Sequence, residues 1–336
     1  MLFSLLIGLV LFLIWLKIFD CDITLMVYSK FADKIGKTKQ SLKGQVIWVT
    51  GASSGIGEGL AVELATYGAK LILSARREKE LNRVKQACLA ANASNKDEDV
   101  LVLPLDILNY DSHAGAVQSV LDHFGKIDIL VNNAGRSQRA LAESTEIAVD
   151  KHLFDLNVLG TISLTKAVLP HMLAREQGHV ACISSVAGLI GTPIAASYAM
   201  SKHALQGFFK SMRMEVVDRN VAVTLVCPGP VVSQGSANAT TGSMNEEIGA
   251  HNVDDRKKVS TARCSHLVAV ALANQLSEIW ISRNPILFFT YIGQYLPGTT
   301  AKIGNIVGRA RVKAFKSGVK DINAGISANP LSYFRK

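Results

Sequence analysis

Short apolar runs alternate with longer segments of helical periodicity from residue 45 onward. The runs are QVIWVT (45–50), KLILSA (70–75), DVLVLPL (99–105), IDILV (127–131), HVACIS (179–184), VAVTLVC (221–227) and EIWIS (278–282). They are apolar almost throughout instead of alternating with polar residues, which is typical of strands covered by helices on both faces. The pattern predicts an α/β fold with a doubly wound parallel sheet of about seven strands.

Two further apolar segments lie outside this alternation. Residues 1–16 carry no charge, and the three residues that follow bring the segment close to the roughly 20 residues that span a bilayer. No basic stretch precedes the segment and no small-residue cleavage site follows it, so we interpret it as a retained membrane anchor. The second segment, Pro285 to Pro297, is too short to span a bilayer. We expect it either to cover a ligand pocket or to dip into the membrane.

The pattern divides the chain into four parts. They are a membrane anchor (1–19), a basic linker (20–41), a single α/β domain (42–282) and an apolar segment with a basic tail (283–336). The linker lysines follow the anchor, whereas only the terminal amine precedes it. We expect a single-pass anchor in the endoplasmic reticulum membrane, and the positive-inside rule predicts that the α/β domain lies on the cytoplasmic side.

Charge and cysteine usage narrow the choice of partners. Lys and Arg outnumber Asp and Glu by 36 to 27, which gives a formal net charge of +9. The basic residues gather beside the apolar segments and form no stripe interleaved with aromatic residues, so we expect a membrane surface and no nucleic acid. The five cysteines and the histidines show neither a CxxC pair nor a metal-ligand spacing. We therefore predict no disulfide framework and no metal site.

A glycine-rich segment, Thr50-Gly-Ala-Ser-Ser-Gly-Ile-Gly57, follows the first strand and leads into a helical pattern. Glycines let the backbone approach a phosphate closely, and the amides at a helix start bind the anion. No Gly-Lys-Ser/Thr follows, which excludes a nucleotide-hydrolysing loop. The segment therefore predicts the phosphate cradle of a Rossmann-type dinucleotide site. Its members are Gly51, Ser53, Ser54, Gly55, Ile56 and Gly57.

The end of the second strand indicates which dinucleotide binds. About twenty residues after the cradle, where an acidic residue usually binds the ribose of NAD, this chain has Ser74-Ala75-Arg76-Arg77. A carboxylate would repel a 2′-phosphate, whereas a guanidinium binds it through charge-assisted hydrogen bonds. We therefore predict NADP(H), with Arg76 as the main contact and Ser53 assisting. Arg77 begins a helix, so simple solvation is its alternative interpretation.

A tyrosine and a lysine supply candidate proton-transfer chemistry. Tyr198 and Lys202 are four residues apart in a helical pattern and so share one helix face. An ammonium beside a phenol favours the phenolate, which lets the phenol exchange a proton with a substrate oxygen. Ser185 ends the preceding strand, where its hydroxyl can stabilise an oxyanion. Ser184 is the competing candidate for that role.

Five segments together resemble the ordered motif set of the short-chain dehydrogenase/reductase family. They are Thr50-Gly-Ala-Ser-Ser-Gly-Ile-Gly57, Asn132-Asn-Ala-Gly135, Ser184-Ser185, Tyr198-Ala-Met-Ser-Lys202 and Pro228-Gly229. Each motif alone is weak to moderate, but the set in this order is highly specific. The anchor and the TYIGQYLP tail are most similar to the membrane-bound member seven group of that family.

The resemblance implies roles for further residues. It assigns the oxyanion role to Ser185 and implies that Asn157 holds a water beneath Lys202 as a fourth catalytic residue. The implied cofactor contacts are Asp106 at the adenine, Asn132, Ala134 and Gly135 along the pocket, Tyr198 and Lys202, and Pro228, Gly229, Val231 and Ser233 at the nicotinamide. Ser233 stands where threonine is usual in the family, which preserves the hydroxyl.

These observations predict an NADPH-dependent oxidoreductase that interconverts a ketone or aldehyde and an alcohol. The anchor and apolar tail favour lipophilic substrates such as retinoids, steroids or quinones. One alternative is an NAD(P)-dependent alcohol or hydroxysteroid dehydrogenase working in the oxidative direction. Another is a cofactor-binding scaffold without turnover, although the serine, tyrosine and lysine are all intact. A homodimer is compatible with the resemblance.

Overall fold

A seven-stranded parallel sheet forms the centre of the protein. The computed structural model describes residues 19–233, 238–244, 246–249, 255 and 258–319. The strands are β1 (Val46–Thr50), β2 (Lys70–Ser74), β3 (Val100–Val102), β4 (Ile129–Asn132), β5 (Gly178–Ile183), β6 (Val221–Pro228) and β7 (Glu278–Ile281). They pair in the order β3-β2-β1-β4-β5-β6-β7, with every neighbouring pair parallel. The doubly wound α/β fold predicted from the apolar runs is thus confirmed.

Helices cover both faces of this sheet. They are α1 (Ile23–Ile35), α2 (Gly55–Thr66), α3 (Glu78–Ala90), α4 (Ser112–Phe124), α5 (Ile147–Phe154), α6 (Gly160–Ala174), α7 (Ala196–Glu215), α8 (Thr261–Ala273), α9 (Ile286–Tyr295) and α10 (Pro297–Lys316). Successive side chains of β1 point to opposite faces of the sheet. Ile47 belongs to the core that includes α2 and α8, and Trp48 belongs to the core that includes α4, α6 and α7. Because both faces are buried, the strand must be apolar throughout.

The strand order reverses at β1, which pairs with β2 on one side and with β4 on the other. The connections leaving these strands run to opposite faces of the sheet, and a crevice opens beyond their carboxyl ends. This topology places the loops after β1, β2, β4, β5 and β6 around one site.

The third strand is shorter than its apolar run predicts. The prediction covered 99–105, but the ladder of β3 ends at Val102. Pro104 has no amide hydrogen to donate, so regular pairing cannot continue through it. Leu103 and Leu105 still donate their amides to the carbonyls of Leu73 and Ala75, at 3.0 Å each, and the segment continues beside β2 toward the crevice.

The start of the described chain is fastened to the last strand. Cys21 forms an antiparallel bridge with Ile281, and the carboxylate of Asp22 accepts the amide of Trp280 at 2.8 Å. Residues 1–18 of the predicted anchor lie outside the described residues. Within the part of the chain that is described, no helix is both long and apolar enough to cross a bilayer.

Candidate active site

A cavity of about 770 Å³ lies at the carboxyl ends of the strands. The loops after β1, β2, β4, β5 and β6 line its inner wall, and α9 and α10 line the opposite side. A volume of this size is typical of small-molecule and cofactor sites. The cavity therefore occupies the place where a doubly wound sheet binds its ligands.

The loop between β1 and α2 has the geometry of a phosphate cradle. Gly51 and Gly55 have φ of +64° and +61°, in the left-handed region that favours glycine. A side chain at Gly57 would collide with the carbonyl oxygen of Gly51. The side-chain Nδ2 of Asn133 donates to the main-chain carbonyls of Thr50, at 2.9 Å, and Gly51, at 3.2 Å. The loop is thus held tightly closed, with the amino end of α2 at the cavity.

Two arginines stand beside this loop. Both Arg76 and Arg77 line the cavity at the end of β2. The guanidinium of Arg77 donates to Ser53 Oγ at 3.0 Å and to Ser54 Oγ at 3.3 Å. The sequence favoured Arg76 as the main contact of the 2′-phosphate, with Ser53 assisting; in the structure the guanidinium hydrogen-bonded to Ser53 is that of Arg77. Because Arg77 is the residue just before α3, its side chain can reach back to the neighbouring β1 loop.

The tyrosine and lysine lie one helical turn apart on α7, as their spacing predicts, and both line the cavity. The ammonium of Lys202 is buried and donates to the carbonyl of Ile183 at 2.8 Å. Its Nζ lies 5.8 Å from the centre of the Tyr198 ring. The bond to the end of β5 fixes the cation beside the phenol.

The two serines after β5 have different surroundings. Ser184 Oγ donates to the carbonyl of Lys202 and accepts from the Gln206 amide, both at 3.2 Å. Ser185 Oγ accepts the amide of Ala187 at 3.1 Å and donates to the carbonyl of Pro228 at 3.2 Å. Ser184 therefore braces α7, whereas Ser185 can turn its one proton from a carbonyl toward a ligand oxygen in the cavity.

Asn157 is fully buried in a π-helical turn, Asp155–Leu159, between α5 and α6. Its side chain clamps the loop after β4: Oδ1 accepts the Arg136 amide at 2.8 Å, and Nδ2 donates to the Arg136 carbonyl at 3.0 Å. Nδ2 also donates to Ser201 Oγ at 2.9 Å. Both hydrogens of Nδ2 are donated in this way, and the Asn157 side chain thereby positions the loop after β4 beside Lys202.

Comparison with known proteins decides the family. The sequence profile described as short chain dehydrogenase matches residues 45–243, more than half of the chain. The chain belongs to the short-chain dehydrogenase/reductase family. It is 46% identical over 302 residues to human dehydrogenase/reductase SDR family member 7, a match that covers 89% of this chain and 87% of that protein. The mouse protein of the same name is 45% identical over 300 residues, with the same coverage.

A solved structure supports the same assignment. The crystal structure of a short-chain dehydrogenase from Streptomyces avermitilis superposes with a TM-score of 0.66 at 27% identity, covering 79% of this chain and 97% of that one. The resemblance drawn from the motifs and from the tail is therefore confirmed. As a member of this family, the protein is an oxidoreductase that binds a nicotinamide cofactor and acts on small molecules.

The structure brings most of the predicted short-chain dehydrogenase site residues to the cavity. Those that line it are Gly51, Ser53, Ser54, Gly55, Ile56, Arg76, Arg77, Asp106, Ala134, Gly135, Ser185, Tyr198, Lys202, Pro228, Gly229, Val231 and Ser233. Gly57, Asn132 and Asn157 do not line it. The side chain of Asn132 instead donates to Thr165 Oγ1 of α6 at 2.9 Å, whereas the neighbouring Asn133 lines the cavity and binds the cradle.

The residues present fit a nicotinamide dinucleotide. The tight cradle and the two guanidiniums match phosphate groups in shape and charge. Asp106, whose Oδ1 accepts the Leu108 amide at 3.1 Å, caps a turn at the cavity wall and not the helix α4. A side chain at Gly135 would meet Asn157 Oδ1 at 2.9 Å, so the cavity floor beside Lys202 needs this glycine.

Sequence reasoning missed part of the wall formed by α10. Ile303, Val307 and Arg311 line the cavity, although the tail was interpreted only as apolar and basic. They are spaced four residues apart, which places them on one helix face. That spacing was available as a signal, but a periodicity interrupted by glycines, as in AKIGNIVGRARV, indicates a helix only weakly.

Proposed function

We propose that this protein is an NADP(H)-dependent carbonyl reductase and alcohol dehydrogenase (EC 1.1.1.-). It interconverts a ketone or aldehyde and an alcohol on lipophilic substrates such as retinoids, steroids or quinones. The observation that carries the proposal is that Ser185, Tyr198 and Lys202 line one cavity that also contains the phosphate cradle.

The side chains divide the proton chemistry among them. The nicotinamide, when bound, supplies or accepts the hydride. The Ser185 hydroxyl holds the substrate oxygen as charge develops on it. The Tyr198 phenol donates its proton to that oxygen in reduction and recovers one in oxidation. Lys202, held by the Ile183 carbonyl at 2.8 Å, stabilises the phenolate that remains.

The preference for NADP(H) rests on charge at the end of β2. Arg76 and Arg77 line the cavity, and Arg77 already binds the hydroxyls of Ser53 and Ser54. Ser53, Ser54, Arg76 and Arg77 would hold a ribose 2′-phosphate in this corner, because all four side chains can donate hydrogen bonds to it. The Ser74-Ala75-Arg76-Arg77 segment contains no carboxylate that would instead select the free ribose hydroxyls of NAD.

The substrate class follows from the outer wall of the cavity. Ile286, Phe289 and Ile292 of α9 and Ile303 and Val307 of α10 line it with apolar side chains. Such a wall favours a substrate with a large apolar body and a single reactive oxygen. This corresponds to the first of the two expectations for the segment from Pro285 to Pro297, that it covers a pocket.

The proposal is tested with the full chain in detergent or vesicles. We expect NADPH-dependent reduction of members of a panel of retinals, keto steroids and quinones. Tyr198→Phe should lower kcat by about a hundredfold to ten-thousandfold, the usual effect of losing a general acid, while NADPH still binds. Tyr110→Phe, a change outside the cavity, is the matched control. Full activity in Tyr198→Phe would refute the proton-transfer mechanism.

The same assays address two competing functions. Initial rates with each cofactor in each direction separate a reductase from an NAD(P)-dependent alcohol or hydroxysteroid dehydrogenase. A scaffold without turnover predicts cofactor binding but no reaction with any substrate in the panel. The buried, hydrogen-bonded Lys202 beside Tyr198 favours catalysis over a scaffold.

We further propose that residues 1–19 anchor the protein in the endoplasmic reticulum membrane, with the catalytic domain on the cytoplasmic face. Deleting these residues should release most of the protein from microsomes, and the domain in intact microsomes should be open to protease. Glycosylation at Asn92 or Asn238 would place the domain in the lumen instead. The proposal includes a homodimer, which the mass of the detergent-solubilised full chain tests.

A further inference from the structure

The strand register shows on which side the amino-terminal segment leaves the fold. Cys21 lies antiparallel to Ile281, the last residue of β7. Residues that precede Cys21 therefore run past the carboxyl end of β7. Hydrogen bonds hold residues 20–22 in this place. Asp20 accepts two of them from Arg263, at 2.9 and 3.1 Å, and the main-chain amide of Asp22 donates to the Trp280 carbonyl at 2.8 Å. The described chain thus begins, at Phe19, at the edge of the sheet that carries the cavity.

Helix α9 connects that exit to the cavity. Its positions 286, 289 and 292 face the cavity, whereas position 291 lies on the other side of the helix. There the Tyr291 hydroxyl accepts the amide of Ile23 at 3.1 Å, and its ring meets Trp280 with 4.9 Å between centres. Tyr295 follows one turn later on the same side and is 75% exposed.

The 294–299 turn, which consists of the end of α9, Leu296 and the start of α10, presents apolar side chains to solvent. Besides Tyr295, Leu296 is 55% exposed, and Pro297 and its neighbours are exposed as well. An aromatic and an aliphatic side chain projecting together are typical of a segment that enters the interfacial layer of a bilayer.

The charges beside this turn have one sign. Residues 283–319 contain six basic residues and no Asp or Glu; they are Arg283, Lys302, Arg309, Arg311, Lys313 and Lys316. The exposed Lys302, Arg309 and Lys313 are seven and four residues apart, which places them within roughly 40° on one face of α10. Ile303, Val307 and Arg311 line the cavity from a different face. The outward face of α10 is therefore complementary to an anionic surface.

From these observations we infer a second membrane contact. We propose that the 294–299 turn inserts Tyr295 and Leu296 into an anionic leaflet, with Lys302, Arg309 and Lys313 on its headgroups. The inference rests on the proposed anchoring of residues 1–19, which would bring the bilayer to this edge of the sheet. Its consequence is that the helices forming the outer cavity wall lie on the lipid surface that holds a lipophilic substrate.

The chain offers a clean way to test this contact. All five cysteines are buried, so a thiol-reactive fluorophore reacts selectively at an introduced cysteine. Leu296→Cys places the label in the turn. Val217→Cys is the matched control, because Val217 is 67% exposed but precedes β6, at the amino-end edge of the sheet. Both full-length variants are reconstituted in vesicles of phosphatidylcholine and phosphatidylserine that contain brominated acyl chains.

We expect bromine quenching at position 296 and little at position 217. Replacing Lys302, Arg309 and Lys313 together by Gln, or omitting phosphatidylserine, should reduce the quenching at 296. Equal quenching at the two positions, or none at 296, would overturn the contact.

A kinetic measurement links the contact to turnover. Tyr295→Ser with Leu296→Ser should raise KM for a long-chain aldehyde dissolved in the vesicles and leave KM for a water-soluble carbonyl unchanged. An equal KM for the vesicle-borne aldehyde in the wild type and the double variant would contradict the proposed link between membrane contact and substrate uptake. Absence of NADPH turnover with either substrate would instead refute the proposed function, while the quenching result still decides the membrane contact.

Discussion

Replacing either arginine at the end of β2 should alter cofactor choice. Arg77 donates to Ser53 Oγ at 3.0 Å and to Ser54 Oγ at 3.3 Å, so its guanidinium lies at the cradle before any phosphate arrives. A hydrogen bond to a charged group contributes about 1.5 to 3 kcal/mol. Losing one such bond to the 2′-phosphate corresponds to roughly a tenfold to hundredfold weaker interaction with NADPH.

The assay compares kcat/KM for NADPH and NADH in the wild type and in Arg76→Gln and Arg77→Gln. NADPH should lose about ten- to a hundredfold, whereas NADH, which lacks the phosphate, should change little. The contacts of Arg77 with both serines predict the larger loss for Arg77→Gln. The sequence alone pointed to Arg76, so the order of the two losses discriminates between the interpretations.

Arg83→Gln is the matched control for this pair. Arg83 lies on α3, the helix that follows Arg77, and its guanidinium binds Glu58 and Glu80 at 2.7 and 2.9 Å outside the cavity. Its replacement should leave the cofactor ratio unchanged. If the NADPH to NADH ratio also stays constant in both Arg76→Gln and Arg77→Gln, the reasoning that assigns NADP(H) is refuted.

Three further predictions concern single residues. Lys202→Met should abolish turnover and weaken NADPH binding, because the ammonium lies in the cavity; an unchanged dissociation constant would contradict this. Asn157→Ala leaves the Arg136 amide and carbonyl without their partner, so the free energy of unfolding, measured by denaturant titration, should fall by about 1–3 kcal/mol. Burial lowers the pKa of His179 to about 4, so between this value and the usual 6.5 only the unfolded chain gains a proton. Stability should therefore fall as pH drops through that window, by up to about 1.4 kcal/mol per pH unit; His179→Gln should flatten the slope, and equal slopes would disprove the assignment.

Residues related by short sequence distances were predictable. Tyr198 and Lys202 share a helix face because a helix repeats every 3.6 residues, whatever surrounds it. The cradle at Gly51 and Gly55 is similarly local, since positive φ favours glycine. Unbroken apolar runs predicted the buried strands. In a parallel sheet the carboxyl ends of such strands lie at the same edge, which predicted the position of the site. These local rules were enough to predict the fold, the family and the placement of Ser185, Tyr198 and Lys202 at one cavity.

Contacts between distant segments could not be predicted in the same way. Whether Arg76 or Arg77 reaches Ser53 depends on the direction that each side chain takes in the segment between β2 and α3, and this direction is set by the fold. Asn132 and Asn133 differ for the same reason: one binds α6 and the other binds the cradle. The motif contains both residues, but only the orientation of each side chain in the folded chain decides which of them binds the cradle.

The α/β fold, the phosphate cradle and the pairing of Tyr198 with Lys202 could be predicted from the residues alone, because each depends on periodicity or backbone freedom within a few residues. The tertiary structure alone decided that α10 completes the cavity wall and that the chain before Cys21 leaves on the cavity side. Both depend on pairing between segments far apart in the chain, such as Cys21 with Ile281. That pairing is set by the packing of the whole domain and leaves no periodic signal in either segment.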